Sequence, residues 1–225
     1  MPSVPGRRPR WFQFSLRSLL IGVAVLAVWL GLQADRVRRE RQAIAELRKL
    51  GCIVKTEPFG PVWLRAALAD GYVERAVEVH IDPEELFFRR TARNKAVLTD
   101  SALVHLKALK GLRFLALSNS DVTDKGLENL AGLTNLEWLY LHNNTLNAQG
   151  QTFYYVQLTD AALVHLRQLT KLKVLLLDGT HVTDAGLENL EGLNSLRQLS
   201  VGRTAVTKEG IEDLRRALPS LKFVY

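Results

Sequence analysis

From Leu172 to Ser195 the chain reads LKVLLLDGTHVTDAGLENLEGLNS, and sixty residues earlier, from Leu112 to Asn135, it reads LRFLALSNSDVTDKGLENLAGLTN. Thirteen of the 24 aligned positions are identical. Chance would supply roughly one or two, so the match marks a stack of repeated units and not an ordinary domain.

Within each unit, L-x-x-L-x-L places alternate side chains on one face of a short strand. The leucines that recur every three residues after Thr-Asp form one face of a short helix, and both faces point into one core. The strand sets are Leu112/Leu115/Leu117, Leu136/Leu139/Leu141, Leu172/Leu175/Leu177, Leu196/Leu199/Val201 and Leu221/Val224, with Val77 and Val79 as a divergent first strand. The helix sets run from Leu103/Leu106/Leu109 to Ile211/Leu214/Leu218. Thr-Asp before each helix predicts a cap, because either side chain can accept from the orphan amides of the first turn and the carboxylate suits the positive end of the dipole. Small residues two positions after the Asp (Ala102, Gly126, Ala162, Gly186) predict close packing between neighbouring coils. Polar residues at the ninth position (Ser120, Asn144, Thr180, Thr204) are expected to satisfy backbone groups of the adjacent coil.

With LxxLxLxxT and VTDxGLxxLxxL in place, the chain resembles a leucine-rich repeat protein of the short bacterial type, strongly over residues 97–225 and weakly over 61–96. The resemblance implies an α/β solenoid with a parallel sheet on the concave face and short helices on the convex face. It also implies a binding surface for another macromolecule on the concave sheet and its edges, since the motif specifies fold far better than function.

Departures from the repeat locate the candidate site. Thr99, Thr123, Thr159, Thr183 and Thr207 are spaced by 24, 36, 24 and 24 residues, so one unit carries twelve extra residues near 147–158. A second expansion occupies 82–97. Both leave the stack between a strand and its following helix, on one edge and two coils apart, about 10 Å at strand spacing. They carry Phe87, Phe88, Phe153, Tyr154 and Tyr155, and alternate strand positions place Phe114, Trp138, Tyr140 and His142 on the adjoining sheet face. Aromatic clusters beside insertions suit a protein partner. These nine residues are the candidate partner-binding set, and the self-packing of the insertion aromatics against a flank is the competing expectation.

Charge narrows the partner class. Residues 1–60 hold 11 Lys and Arg against 4 Asp and Glu, whereas residues 61–225 hold 19 of each. A phosphate-tracking face belongs to a folded domain, and here the excess flanks an apolar run instead, so no nucleic-acid partner is expected. The apolar run, Ser18 to Ala34, has 17 residues without a charge. It covers about 25 Å as a helix, and Arg17 can snorkel while Trp11, Phe12 and Phe14 extend it into the interface. No good cleavage site follows, which favours an uncleaved single-pass anchor over a signal peptide. Arginines flank both ends, so the positive-inside count does not decide orientation, and the short N-terminal tail points to repeats outside the cytoplasm.

The expected division is therefore a basic tail at 1–17, a transmembrane helix at 18–34, a juxtamembrane helix and linker at 35–60, and the repeat domain at 61–225 with a capping helix around Trp63 and Leu64. The juxtamembrane helix, with apolar positions Val37, Ile44, Leu47 and Leu50, reads as a solvated stalk ending at Gly51. Cys52, the single cysteine, rules out an internal disulfide framework and CxxC chemistry. No HExxH, GxSxG or glycine-rich phosphate loop occurs, His105 and His165 repeat at one helix position, and the other histidines lack ligand spacing. No catalytic, metal or cofactor site is expected, and the chain is not read as an enzyme. The functional expectation is a membrane-anchored protein-binding module. The alternatives are an envelope component that self-associates through the open edge of the C-terminal strand, and an accessory or substrate-recognition subunit of an enzyme complex.

Overall fold

The coils stack because each strand and helix alone exposes a row of leucines that only a neighbour can cover. The computed structural model describes residues 16–60, 74–81, 98–118, 120–142, 145–146, 152–153 and 157–225. They fall into two units, Met1–Arg38 and Arg39–Tyr225.

The second unit is a leucine-rich repeat solenoid. Its sheet contains β1 (Cys52–Pro58), β2 (Glu74–Ile81), β3 (Phe114–Ala116), β4 (Trp138–Tyr140), β7 (Val174–Leu176), β8 (Gln198–Ser200) and β9 (Phe223–Val224), hydrogen-bonded in that order. A separate hairpin pairs β5 (Thr145–Leu146) with β6 (Thr152–Phe153). From β2 onward the sheet is parallel and in register, with Val79, Leu115, Leu139, Leu175, Leu199 and Val224 side by side. Each unit returns through one turn of α-helix continued in most coils as 3₁₀-helix: α2 (Asp100–Leu103), α3 (Asp124–Leu127), α4 (Asp160–Leu163), α5 (Asp184–Leu187) and the longer α6 (Lys208–Ala217). The strand and helix leucines of the repeats form one buried core, from Leu103 to Leu221.

The Thr-Asp pair works differently from the expected local cap. Only Thr159 and Thr207 accept from their own helix, through the Ala161 and Gly210 amides. Instead each Asp reaches the Thr of the next coil. Thr123 donates its amide and hydroxyl to the Asp100 carboxylate at 2.9 and 2.6 Å, and the same pair of bonds joins Thr159 to Asp124, Thr183 to Asp160 and Thr207 to Asp184. A carboxylate accepting two bonds resolves an amide and a hydroxyl at once, which a helix of one turn cannot do for itself. The Thr207 hydroxyl and then its amide hold the Asp184 carboxyl below the usual carboxylate range.

This ladder explains the small residues. A Cβ on Gly126 would lie 2.2 Å from Asp100 Oδ1, and one on Gly186 would lie 2.2 Å from Asp160 Oδ1. The glycine leaves the space that the preceding coil's aspartate fills. The ninth-position hydroxyls also bond differently from expectation, within their own coil: Ser120, Thr180 and Thr204 donate to the carbonyls of Leu117, Leu177 and Val201 at 2.6, 2.7 and 2.6 Å. Asn144 lies outside the described residues.

The N-terminal division needs correction. The segments expected to be transmembrane and juxtamembrane form one continuous helix, α1 (Leu16–Lys49), which stops where Gly51 turns the chain with φ 83°. Its last part is no solvated stalk: Glu40, Ala43, Ile44 and Leu47, spaced for one helix face, are buried. Nor is 52–58 a linker. CIVKTEP forms β1 antiparallel to β2, with Cys52 and Val54 buried and Ile53 and Lys55 exposed. Glu40 accepts from the Ala76 amide at 3.0 Å, tying the helix to β2. Together α1 and β1 close the first coil, which otherwise would expose the flank of β2. The helix expected around Trp63 and Leu64 lies outside the described residues. In the first unit, the apolar side chains of α1 from Leu19 to Leu32 are largely exposed, and α1 is long and apolar enough to cross a membrane. Membrane anchors and signal sequences share that property.

Candidate functional site

The strand side chains that do not enter the core lie on the other face of the sheet, and the register arranges them in columns. Glu78, Phe114, Trp138, Val174, Gln198 and Phe223 form one, and His80, Ala116, Tyr140, Leu176 and Ser200 form the next. Three of the expected residues meet here. Tyr140 reaches diagonally to Phe114, with ring centroids 5.0 Å apart at 76°, an edge-to-face pair. Ala116 beside it is small enough to leave room for that ring. Lys173 Nζ stands 5.4 Å from the Trp138 ring centroid and pairs with Glu137.

Glu78, Arg113, Phe114, Trp138 and Tyr140 line a shallow concavity of about 380 Å³. Its floor is aromatic and its margin carries one charge of each sign. Arg113 is held by Glu57 of β1, so the N-terminal strand helps to shape this margin. Sequence reasoning missed Glu78, Arg113 and Glu57. The pairing of β1 that would reveal them is hidden behind its reading as a linker.

His142 stands at the end of this patch. Its ring centroid is 6.1 Å from that of Tyr140, and its Nδ1 is 3.2 Å from Ser118 Oγ. Ser118, His142 and Asp178 stand two residues beyond the ends of the neighbouring strands β3, β4 and β7, an order that invites comparison with a nucleophile, base and orienting acid. The carboxylate is engaged elsewhere: Asp178 Oδ1 accepts from the Ser200 hydroxyl at 2.7 Å and the Gly202 amide at 3.2 Å. An imidazole without a bonded orienting group does not make a general base of the triad kind. Among the described residues, no three His, Cys, Asp or Glu side chains are placed to hold a metal.

Burial pushes the His142 pKa down; Asp178 opposes that shift and Arg203 reinforces it. The folded chain therefore resists protonation that the unfolded chain accepts. Stability should fall as pH drops below the ordinary histidine value of 6.5, until the folded-state pKa is passed. Thermal melts of the wild type and His142→Gln should diverge in that window and coincide above it. Parallel pH profiles would show that the ring titrates as it does in solvent.

Phe153 belongs to β6 of the inserted hairpin, which begins five residues after β4 ends. Tyr154, Tyr155, Phe87 and Phe88 lie outside the described residues. The strands that precede the two insertions, β2 and β4, end on the same edge of the sheet with β3 between them, and residues 82–97 themselves lie outside the described residues.

No protein-family model and no curated protein matches the chain. Solved structures that resemble it include internalin C2 from Listeria monocytogenes, at 25% identity over 54% of this chain and 45% of the internalin, with a TM-score of 0.43. The leucine-rich repeat ectodomain of the receptor kinase SOBIR1 from Arabidopsis thaliana is 15% identical over 83% of this chain and 91% of that one, with a TM-score of 0.46. A leucine-rich repeat protein from Leptospira interrogans is 22% identical over 54% of this chain and 33% of its own, with a TM-score of 0.37. The chain thus spans less than half of the internalin that it matches.

Proposed function

We propose that the chain is a membrane-anchored module that binds a protein partner on the open sheet face, with Phe114, Trp138 and Tyr140 as the anchor points, His142 at their margin and the two insertions flanking them. The observation that carries this reading is the half-buried aromatic group on a sheet face over which no described element is layered. The leucine columns of the strands and helices are consumed by the core. Aromatic rings in a shallow recess with charged margins are the usual make-up of an interface hot spot. In this reading α1 stays uncleaved and the repeats lie outside the cytoplasm, where a C-terminal topology reporter would register them.

The test is a photo-crosslinking residue at Leu176, which adjoins Tyr140 in the sheet, in cells expressing the full chain. We expect a discrete adduct that disappears in Trp138→Ala/Tyr140→Ala while the circular dichroism of the purified variant is unchanged. A loss of at least tenfold in adduct is expected, since two anchor residues are removed. The same adduct from a crosslinker at Glu188 on the helical side, or its persistence in the double variant, would sink the proposal.

A further inference from the structure

The charge balance of the repeats conceals a separation. Residues 98–225 carry 13 Lys and Arg and 13 Asp and Glu. Divided by position in the coil, they sort almost completely. The segment from the end of each helix to the start of the next strand holds 10 of the bases and only Glu137 and Glu191 among the acids. Lys107, Lys110 and Arg113 supply the first such rim segment, Arg167, Lys171 and Lys173 the third. Arg197 follows in the fourth, and Arg215, Arg216 and Lys222 complete the last. The helix starts and strand ends hold the other 11 acids and 3 bases.

The local cause is helix polarity. Acids favour helix starts and bases favour helix ends. Here all the repeat helices run in the same direction, so the preference of each coil adds to that of the next. Because the strands are parallel, all their starts lie on one side of the sheet. From β3 to β9 this basic rim extends about 19 Å at strand spacing. Glu137 is spent on Lys173. Among the described residues Lys107, Arg167, Arg197, Arg215 and Lys222 make no ion pair. The first two strands are mixed at this rim, with Glu57 and Glu74 near Arg75.

A second observation points to what the rim faces. Glu40 bonds Ala76 near the start of β2, whereas Arg48 bonds the Val54 carbonyl, level with Val79 toward the strand's end. The segment Arg39–Lys49 therefore runs in the direction of β2. The chain consequently enters the repeat unit at the strand-start rim, with the exposed Arg39 at the point of entry.

We propose that this basic rim rests on anionic lipid headgroups, holding the sheet edge against the membrane and leaving the strand-end edge, with its insertions, directed away. This rests on the reading of α1 as an anchor, because a tether entering at the rim keeps the rim within reach of the surface. A rim of bases in one plane suits a planar layer of negative charge, and the attraction acts over a Debye length of about 10 Å.

The test uses the full chain reconstituted in phosphatidylcholine vesicles with or without phosphatidylglycerol, with a bimane at Thr170→Cys on the rim or at Glu188→Cys on the helix side. Nitroxide-headgroup lipid is the quencher. The rim label should be quenched several-fold more with phosphatidylglycerol than without, and the helix-side label should not. High salt and the variant Lys110→Glu/Lys171→Glu/Arg197→Glu/Lys222→Glu should remove the difference, while the corresponding arginine and lysine exchanges should keep it. Equal quenching in both lipids, or quenching indifferent to charge reversal, would overturn the proposal. So would an unquenched rim that instead binds polyglutamate through these bases, which would assign it to an acidic protein. Alkaline carbonate extraction reads the anchor separately. If the chain is extracted, the anchor reading fails, and flotation of the free chain on phosphatidylglycerol vesicles, present or absent, then decides the rim on its own.

Discussion

Leu47→Asp should uncouple the N-terminal part of the solenoid. Leu47 is 0% exposed and lies with Ala43 and Ile44 in the same core as the repeats. Truncation to Ala should cost about 2–5 kcal/mol through lost burial and the cavity left behind. A carboxylate at the same point adds the cost of an unpaired buried charge, so Leu47→Asp is expected to exceed about 4 kcal/mol. Stacked coils lose stability from the damaged end, so the loss should be graded along the chain. Hydrogen exchange of the full chain in detergent should show protection falling by orders of magnitude in β1 and β2 while β7 and β8 change little. If α1 beyond Arg38 were a solvated stalk, the substitution would leave every strand protected.

The second large effect concerns the Asp–Thr ladder, and it is a coupling. Gly186→Ala should place a methyl group where Asp160 Oδ1 now sits, 2.2 Å away, and Leu163 Cδ1 at 3.1 Å closes another side. Asp160 must then release the Thr183 amide and hydroxyl. Losing two charge-assisted bonds at a half-buried site should cost about 2–3 kcal/mol. Asp160→Ala alone should cost a similar amount. The double variant should be hardly worse than either single one, leaving a coupling of about 1.5 kcal/mol or more in a denaturant-unfolding cycle. Additive costs would show that the glycine serves only backbone conformation. The position equivalent to Gly186 is Ala162 in the coil after the hairpin, and there the Asp124 bonds to Thr159 coexist with a methyl group. The pair of coils that brackets the insertion therefore makes the same bonds in a looser setting.

The repeat was legible because leucine spacing is a local property. Strand and helix periods can each be read within a dozen residues, and the strand sets named from sequence are those that pack. Partners 24 residues apart are less visible. Thr beside Asp suggests a cap because the two are neighbours in sequence, whereas the bond that forms joins each Asp to a Thr in the next coil. The N-terminal cap was obscured in another way. The Glu40/Ala43/Ile44/Leu47 stripe follows an apolar run long enough to dominate the reading, and a buried glutamate does not look like a core position. CIVKTEP does alternate in the manner of a strand, but Gly51 and Gly60 on either side suggest a loop. On the open face, register alone located Phe114, Trp138 and Tyr140, since alternation decides which side chains point outward. Ser118 and Asp178 stand two residues past their strands, as His142 does, and were overlooked because they carry no ring, the feature that singles out His142 from its neighbours there. Net charge was the poorest guide of all: a sum of zero contains no information about position.

The ladder also has a direction. Each coil offers a carboxylate forward and receives one from behind. Thr99 receives none from a described coil and shares a hydrogen bond with Ser101 instead, and where the last helix begins, Lys208 stands in the place of Asp. A coil thus behaves like a building block with a plug on one side and a socket on the other, and Lys208 is a blanked plug. An engineer wishing to lengthen this protein could insert a complete 24-residue block between two existing coils with no further change. Appending one after the last coil would first require Lys208→Asp, and the Gly210 socket beneath it is already occupied by Asp184, so the new block must bring a glycine of its own.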